Sequence, residues 1–292
     1  MRLKTDYIDY YLLHMLNDPA SFKRLCELGI REWIEEKKAK GIIKNIGFSF
    51  HGGTVKFTEL IDSYDWDFAQ VQFNYVDEHS QAGIEGIKHA HEKNIPIVIM
   101  EPLRGGRLVN NLPKKVTAEF DAMKPSRTPA DWGLRWIWNH PEVNVVLSGM
   151  NDVAQVEENV RIASESTADS LTDEEMQLYK RVMEAFNESV KVGCTGCGYC
   201  QPCPQGVDIP GCFSAYNHSY TDKYSVAMRE YLMCTALRKD RTNASRCIEC
   251  GKCEQHCPQS IEIRKELKNV KRRMENPFYR IAAWGMRFLM KY

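Results

Sequence analysis

Two cysteine runs near the carboxyl end constrain this chain more than anything else in it. The first is Cys194-x-x-Cys197-x-x-Cys200-x-x-Cys203-Pro204, and the second is Cys247-x-x-Cys250-x-x-Cys253-x-x-x-Cys257-Pro258. Three cysteines with two-residue gaps wrap a loop so that their thiolates face one cluster. A fourth, followed by proline, turns towards a second cluster. The second run has this spacing in full; the first is one residue short in its last gap. The expected result is two [4Fe–4S] clusters with crossed ligation. Cys194, Cys197, Cys200 and Cys257 would hold one, and Cys247, Cys250, Cys253 and Cys203 the other. Four-cysteine sets also suit zinc, which is the alternative.

The rest of the chain has a different composition. Of 11 cysteines in 292 residues, all but Cys26 lie at or beyond Cys194. A cysteine-poor body is joined to a cysteine-rich module. Hydrophobic residues make up 43% and charged residues 27%, as in ordinary globular proteins. With 39 Lys+Arg against 39 Asp+Glu the net charge is zero, which argues against nucleic-acid binding. No apolar run approaches the roughly 18 residues of a membrane span. The start, Met1-Arg2-Leu3-Lys4-Thr5-Asp6, is charged where a signal peptide would be apolar. These features predict a cytoplasmic protein, where a cysteine module is a metal site rather than a disulfide scaffold.

Residues 1–190 alternate short apolar runs with amphipathic stretches. Strands are expected over 7–14, 42–50, 68–75, 95–100 and 143–147. Helices are expected over 21–40, 55–64, 82–93, 129–139, 153–164 and 172–190. The near-continuous apolar run Ile95-Pro96-Ile97-Val98-Ile99-Met100 reads as a strand covered on both faces. Consecutive strand–helix units imply a parallel α/β sheet, either open or part of a (β/α)8 barrel. In both, function sits at the carboxyl ends of the strands. That places His14, Ser49, Gln70, Asn74, Met100 and Glu101 on the working face.

Several segments carry a family resemblance, in order along the chain. Thr5-Asp6-Tyr7-Ile8-Asp9-Tyr10-Tyr11-Leu12-Leu13-His14 is similar to the fourth strand of the aldo-keto reductases. Ile46-Gly47-Phe48-Ser49, Gln70-Val71-Gln72-Phe73-Asn74 and Glu101-Pro102-Leu103-Arg104-Gly105-Gly106 resemble their fifth to seventh strands. Pro129-Ala130-Asp131-Trp132-Gly133-Leu134-Arg135-Trp136 resembles the helix after the seventh. Val145-Val146-Leu147-Ser148-Gly149-Met150, then Val156-Glu157-Glu158-Asn159, resembles the eighth strand and its helix. The resemblance implies strands 4–8 of a (β/α)8 TIM barrel and an NADP(H) or NAD(H) cofactor. It implies that His14 orients the substrate carbonyl and that Ser49 and Gln70 hold the nicotinamide carboxamide. Glu158 and Asn159 would touch the adenine end.

The sequence also departs from the family. Phe50 stands where many relatives carry an Asn that shares the carboxamide contact. Met100 replaces an aromatic that stacks on the nicotinamide, and Gln155 an arginine that binds the 2′-phosphate, which leaves NADP against NAD open. The family's tyrosine acid, with its aspartate and lysine, belongs to the first three strand–helix units, which this sequence lacks.

The spacer between the cysteine runs, 216–240, reads as helical through Tyr224, Met228, Tyr231, Leu232 and Leu237. It resembles an α-helical ferredoxin domain rather than the compact hairpin type. Cys212 and Cys234 read as packing thiols, and His218 and His256 as non-ligands. A helix is expected over 261–273, then another to residue 292 with Ile281, Trp284, Phe288 and Leu289 as an apolar stripe. From Glu262 onwards there are nine Lys/Arg against three Asp/Glu. Packing on the barrel or a partner is preferred over a membrane surface. The expected domains are 1–190, 191–275 and 276–292. The expected function is carbonyl/alcohol oxidoreduction with NAD(P)H, its clusters transferring electrons to a redox protein partner. The alternative is an inactive barrel serving as an electron-transfer or partner-binding module.

Overall fold

The structure is a computed structural model that describes residues 4–110, 112–221, 223–236 and 240–289, without the side chains of 286–289. The charged start Met1–Leu3, Leu237 of the expected spacer helix, and the Phe288 and Leu289 side chains lie outside the described residues. The chain divides into two compact units. One comprises Met1–Val109 and Arg127–Met176, the other Asn110–Ser126 and Gln177–Tyr292.

The first unit is built on five parallel strands: β1 (Ile8–Leu13), β2 (Ile43–Phe50), β3 (Phe68–Gln72), β4 (Ile97–Met100) and β5 (Val143–Val146). Their spatial order is their sequence order, and the sheet is not closed: β1 and β5 are its edges. The helices between them are α1 (Pro19–Glu27), α2 (Ile30–Ala39), α3 (Thr54–Ile61), α4 (Gly83–Glu92), α6 (Pro129–Trp138) and α7 (Val153–Glu165). Each strand lies within a few residues of its expected position.

One face of this sheet is sealed by helices. Ile46, Phe48, Phe50, Ala69, Val71, Phe73, Ile97 and Ile99 are all fully buried. Phe48 and Phe50 meet Phe57 of α3, with ring centroids 5.9 and 5.1 Å apart, and Phe73 meets Trp136 of α6 at 4.8 Å. Strand alternation puts the intervening residues on the opposite face. The register pairs Ser49 with Gln70, Gln70 with Val98, and Val98 with Val145. Gly47 on this face has no room for a side chain, since a Cβ would lie 2.4 Å from the Phe68 carbonyl oxygen. Val98 and Met100 are only half-buried, so β4 is not covered on both faces as its composition suggests. Its apolar run is longer than its covered surface.

Caps fix the helix starts. Asp18, Thr128 and Asp152 accept from Ser21, Asp131 and Ala154 N–H groups at 2.9, 3.0 and 2.8 Å. The single helix expected over 21–40 is two, because Leu28 ends α1 and Gly29 turns left-handed (φ 87°) before α2.

The second unit contains α5 (Lys114–Ala122), most of α8 (Asp173–Ser189), α9 (Ile209–Thr221), α10 (Tyr224–Thr235), the short α11 (Lys252–Gln255), α12 (Ile263–Met274) and α13 (Pro277–Leu289). Its core joins Phe213, Tyr216, Met228, Tyr231, Leu267 and Val270. The spacer is helical, as expected, and is formed by two helices, α9 and α10. Their apolar faces pack on each other, which one continuous rod could not do. On α13, Tyr279 and Ala283 are buried while Ile281 and Trp284 are exposed.

Candidate functional site

The strand ends of the first unit gather three of the expected residues. His14 follows β1 directly and is exposed. Its loop is tied to the end of β2 by three hydrogen bonds. Met15 N–H donates to Ser49 Oγ at 2.9 Å, Leu16 N–H to the Ser49 carbonyl at 2.9 Å, and His51 N–H to Asn17 Oδ1 at 2.8 Å. Met15 takes a left-handed conformation (φ 52°) to make this turn. The result sets His14 Nδ1 3.4 Å from Ser49 Oγ. Ser49 is buried, and its register partner Gln70 donates to the Met100 thioether at 3.3 Å. A thioether is a weak acceptor. The Gln70 amide can therefore turn to a group that offers both a donor and an acceptor, and a carboxamide does.

Phe50 faces the helices, not this surface. Glu158 and Asn159 lie apart from it on α7. Glu158 accepts from Thr128 Oγ1 at 2.7 Å, and Asn159 donates to Ser148 Oγ at 3.1 Å. Both brace neighbouring segments: Glu158 the N-cap of α6, Asn159 the loop after β5. Gln155 accepts from Asn151 N–H at 3.3 Å.

Sequence reasoning missed a buried polar chain behind the strand ends. His51 Nδ1 lies 3.1 Å from Gln81 Oε1, Gln81 donates to Gln72, and Gln72 donates to Asp77 Oδ2 at 2.7 Å. Asn74 also donates to Asp77 (3.0 Å), and Arg104 forms an ion pair with it at 2.9 Å. Burial holds the His51 imidazole below its ordinary value. The Gln81 hydrogen bond opposes this, and repulsion from His14 adds to it. The signal was present in the period-two placing of Gln70, Gln72 and Asn74. Asp77 and Arg104 lie in loops that alternation does not reach.

The cysteines of the two runs line two cavities. The first, about 310 Å³, is lined by Cys194, Cys197, Cys200 and Cys257. The second, about 330 Å³, is lined by Cys203, Cys247, Cys250 and Cys253. Each run thus contributes its last cysteine to the other run's cavity. Ile209, on α9, lines both. Burial pushes the Cys200 thiol up to about 12, and the negative charges of Cys194, Cys197 and Cys257 push the same way. Burial pushes Cys253 up to about 11, with Glu254, Cys247 and Cys203 adding to it. Protonated thiols around an apolar cavity release their protons when a cationic iron cluster binds. The donor set, four cysteines at each cavity, fits such a group. Among the described residues, no three His, Cys, Asp or Glu side chains converge on a point as one metal ion requires.

One polar residue lining the first cavity stands out. Thr195 is 7% exposed, and its hydroxyl has no hydrogen-bond partner. Leaving a buried hydroxyl unpaired costs roughly 1–3 kcal/mol. In the second unit, a buried carboxylate orders the approach to the second run. Glu275 accepts from Tyr231 OH at 2.9 Å, Ser245 N–H at 2.8 Å and Asn243 Nδ2 at 3.0 Å. Tyr231 OH in turn accepts from Ala244 N–H at 3.1 Å. Cys212 is fully buried beside Tyr231, Cys234 is half-buried, and His218 pairs with Glu230 at 2.5 Å.

A parallel α/β sheet with polar residues at its strand ends is thus followed in the chain by a helical module with two four-cysteine cavities. The chain belongs to the aldo/keto reductase family, whose model matches residues 1–184. A 4Fe-4S dicluster domain matches residues 193–262. Solved structures similar to the chain include an aldo-keto reductase, AKR11C1, from Bacillus halodurans, at 25% identity and TM-score 0.49, covering 62% of this chain and 64% of that one. Another is an aldo-keto reductase from Klebsiella pneumoniae in complex with NADPH, at 23% identity and TM-score 0.49, covering 62% and 61%. The chain therefore spans less than two thirds of the length of these structures. No curated protein matches it. Among the described residues, no helix is long and apolar enough to cross a membrane.

Proposed function

We propose that the five strands are strands four to eight of a (β/α)8 barrel, and that the chain serves NAD(P)H-dependent interconversion of a carbonyl and an alcohol. The supporting observation is the pairing of Ser49 with Gln70 beside His14, on the face that the helices leave open. In this reading Gln70 binds the nicotinamide carboxamide by its amide. Ser49 fixes the turn at Met15 and so the position of His14. The His14 imidazole donates to the carbonyl oxygen of the substrate and orients it. Glu158 and Asn159 shape the adenine end. Bound NAD(P)H supplies the hydride. The proton donor, by resemblance a tyrosine supported by aspartate and lysine, belongs to strand–helix units outside these five strands. This division of labour makes residues 1–190 the binding and orienting body, 191–275 the cluster module and 276–292 a basic carboxyl-terminal segment.

The module is proposed to hold two [4Fe–4S] clusters, one per cavity, and to exchange single electrons with a redox protein in the cytoplasm. The crossed lining of the two cavities supports this. The open edges at β1 and β5 favour one other reading, in which the barrel does no hydride chemistry and the chain is an electron-transfer module. Titrating the anaerobically reconstituted protein with NADPH and with NADH, followed by nicotinamide fluorescence, separates the two. Saturable binding that Gln70→Leu weakens supports the first reading. No binding of either nucleotide supports the second.

A further inference from the structure

The two cavities differ in their polar lining: besides cysteines, Thr195 and Gln259 line the first, and Gln205 and Arg264 the second. Thr195 lines the first, nine-tenths buried, with an unpartnered hydroxyl beside Cys194. Among the described residues, no serine, threonine or tyrosine lines the second. A buried hydroxyl without a partner in the chain calls for an acceptor that the chain does not itself supply. The walls around it include Ile209, Phe213 and Ile263, which offer no side-chain acceptor, and Gln259, whose amide oxygen is one but is not bonded to Thr195. The cysteine sulfurs that line the same cavity mark where such an acceptor would sit.

We propose that Thr195 donates an O–H···S hydrogen bond to a sulfur of the cluster held by Cys194, Cys197, Cys200 and Cys257, and thereby sets its potential apart from that of the second cluster. This rests on the two-cluster reading above. A reduced cluster carries one more negative charge than the oxidised form. A donor aimed at its sulfur stabilises the reduced form more, and so raises the reduction potential. The hydroxyl is close to fully buried, so water does not compete for the bond. Thr195 is a positioning and tuning residue, not a ligand.

The test is an EPR-monitored redox titration of the reconstituted full chain. Iron and acid-labile sulfide are measured on the same samples. Thr195→Val keeps the shape and removes the hydroxyl. The expected result is that one of the two reduced-cluster midpoints moves to lower potential while the other stays in place, with iron and sulfide unchanged. Thr195→Ser, which keeps the hydroxyl, is expected to stay near the wild-type midpoint. Should the valine variant assemble poorly, Thr195→Ala removes the hydroxyl by a different route and is read the same way. Unmoved midpoints in a fully loaded Thr195→Val or Thr195→Ala protein would overturn the proposal. So would a serine variant that matches the valine variant. Wild-type protein with one cluster's worth of iron and sulfide would instead overturn the two-cluster reading itself.

Discussion

Cys257 lines the same cavity as Cys200, although the two belong to different cysteine runs. Cys203 reciprocally lines the cavity of Cys253. If these cavities hold the clusters, single substitutions should pair across the runs rather than within them. Cys257→Ser should lose the same cluster as Cys197→Ser, and Cys203→Ser the same cluster as Cys250→Ser. Each should lose about half the iron and retain one EPR signal, identical within each pair. A Cys257→Ser protein that instead matches Cys250→Ser would show ligation within each run.

The Asp77–Arg104 ion pair is buried, with both side chains under a tenth exposed. It also closes a loop in which Glu101 and Arg104 take left-handed conformations, φ 52° and 50°. Removing one partner of a buried pair leaves the other charge uncompensated and costs about 3–5 kcal/mol. Asp77→Leu should lower the unfolding free energy by that order in urea denaturation. A loss under about 1 kcal/mol would mean that water reaches Arg104.

Burial lowers the pKa of both His51 and His140; at His140 a hydrogen bond from Nδ1 to the Trp136 carbonyl (2.9 Å) opposes the shift. Each takes up a proton less readily in the fold than in the unfolded chain, which does so near pH 6.5. The unfolded state then binds more protons, so their contribution is complete above about pH 6.5 and is lost as the pH falls towards the folded values. The urea midpoint should drop between about pH 7 and pH 5.5, and the double variant His51→Gln/His140→Gln should drop less. Equal slopes for the two proteins would remove these histidines from the acid limb.

Glu275 gathers Tyr231, Asn243 and Ser245 around the loop that leads into Cys247. Glu275→Ala leaves several buried donors unpaired, each at roughly 1–3 kcal/mol. Thermal unfolding should shift down by several degrees. The cluster bound by Cys247 should be lost first on exposure to air, followed by its EPR signal. Equal loss of both signals would mean that Glu275 supports the unit as a whole.

The strands of the first unit were legible because each couples β-branched or aromatic residues to a polar end, and sheet order follows chain order. The break at Gly29 was not, since the apolar spacing from Leu25 to Ile34 runs through it undisturbed. Helix α5 was missed because Lys114-Lys115-Val116-Thr117 shows little periodicity until Phe120 packs. The cysteine sets were the most legible feature, because ligand spacing is local chemistry. The polar chain from His51 to Arg104 was not, because it joins four segments that only the fold brings together. The family resemblance assigns Glu158 and Asn159 to a nucleotide, and each also braces its own neighbourhood.

The most direct test is the metal content and spectrum of the full chain, reconstituted anaerobically with iron and sulfide. Iron and acid-labile sulfide should be present in equal amounts corresponding to two [4Fe–4S] clusters. Mössbauer spectra should show [4Fe–4S] iron alone, and dithionite should produce two interacting EPR signals. Protein purified under the same conditions that carries tetrahedral zinc in both cysteine sets, with no acid-labile sulfide taken up, would contradict the account.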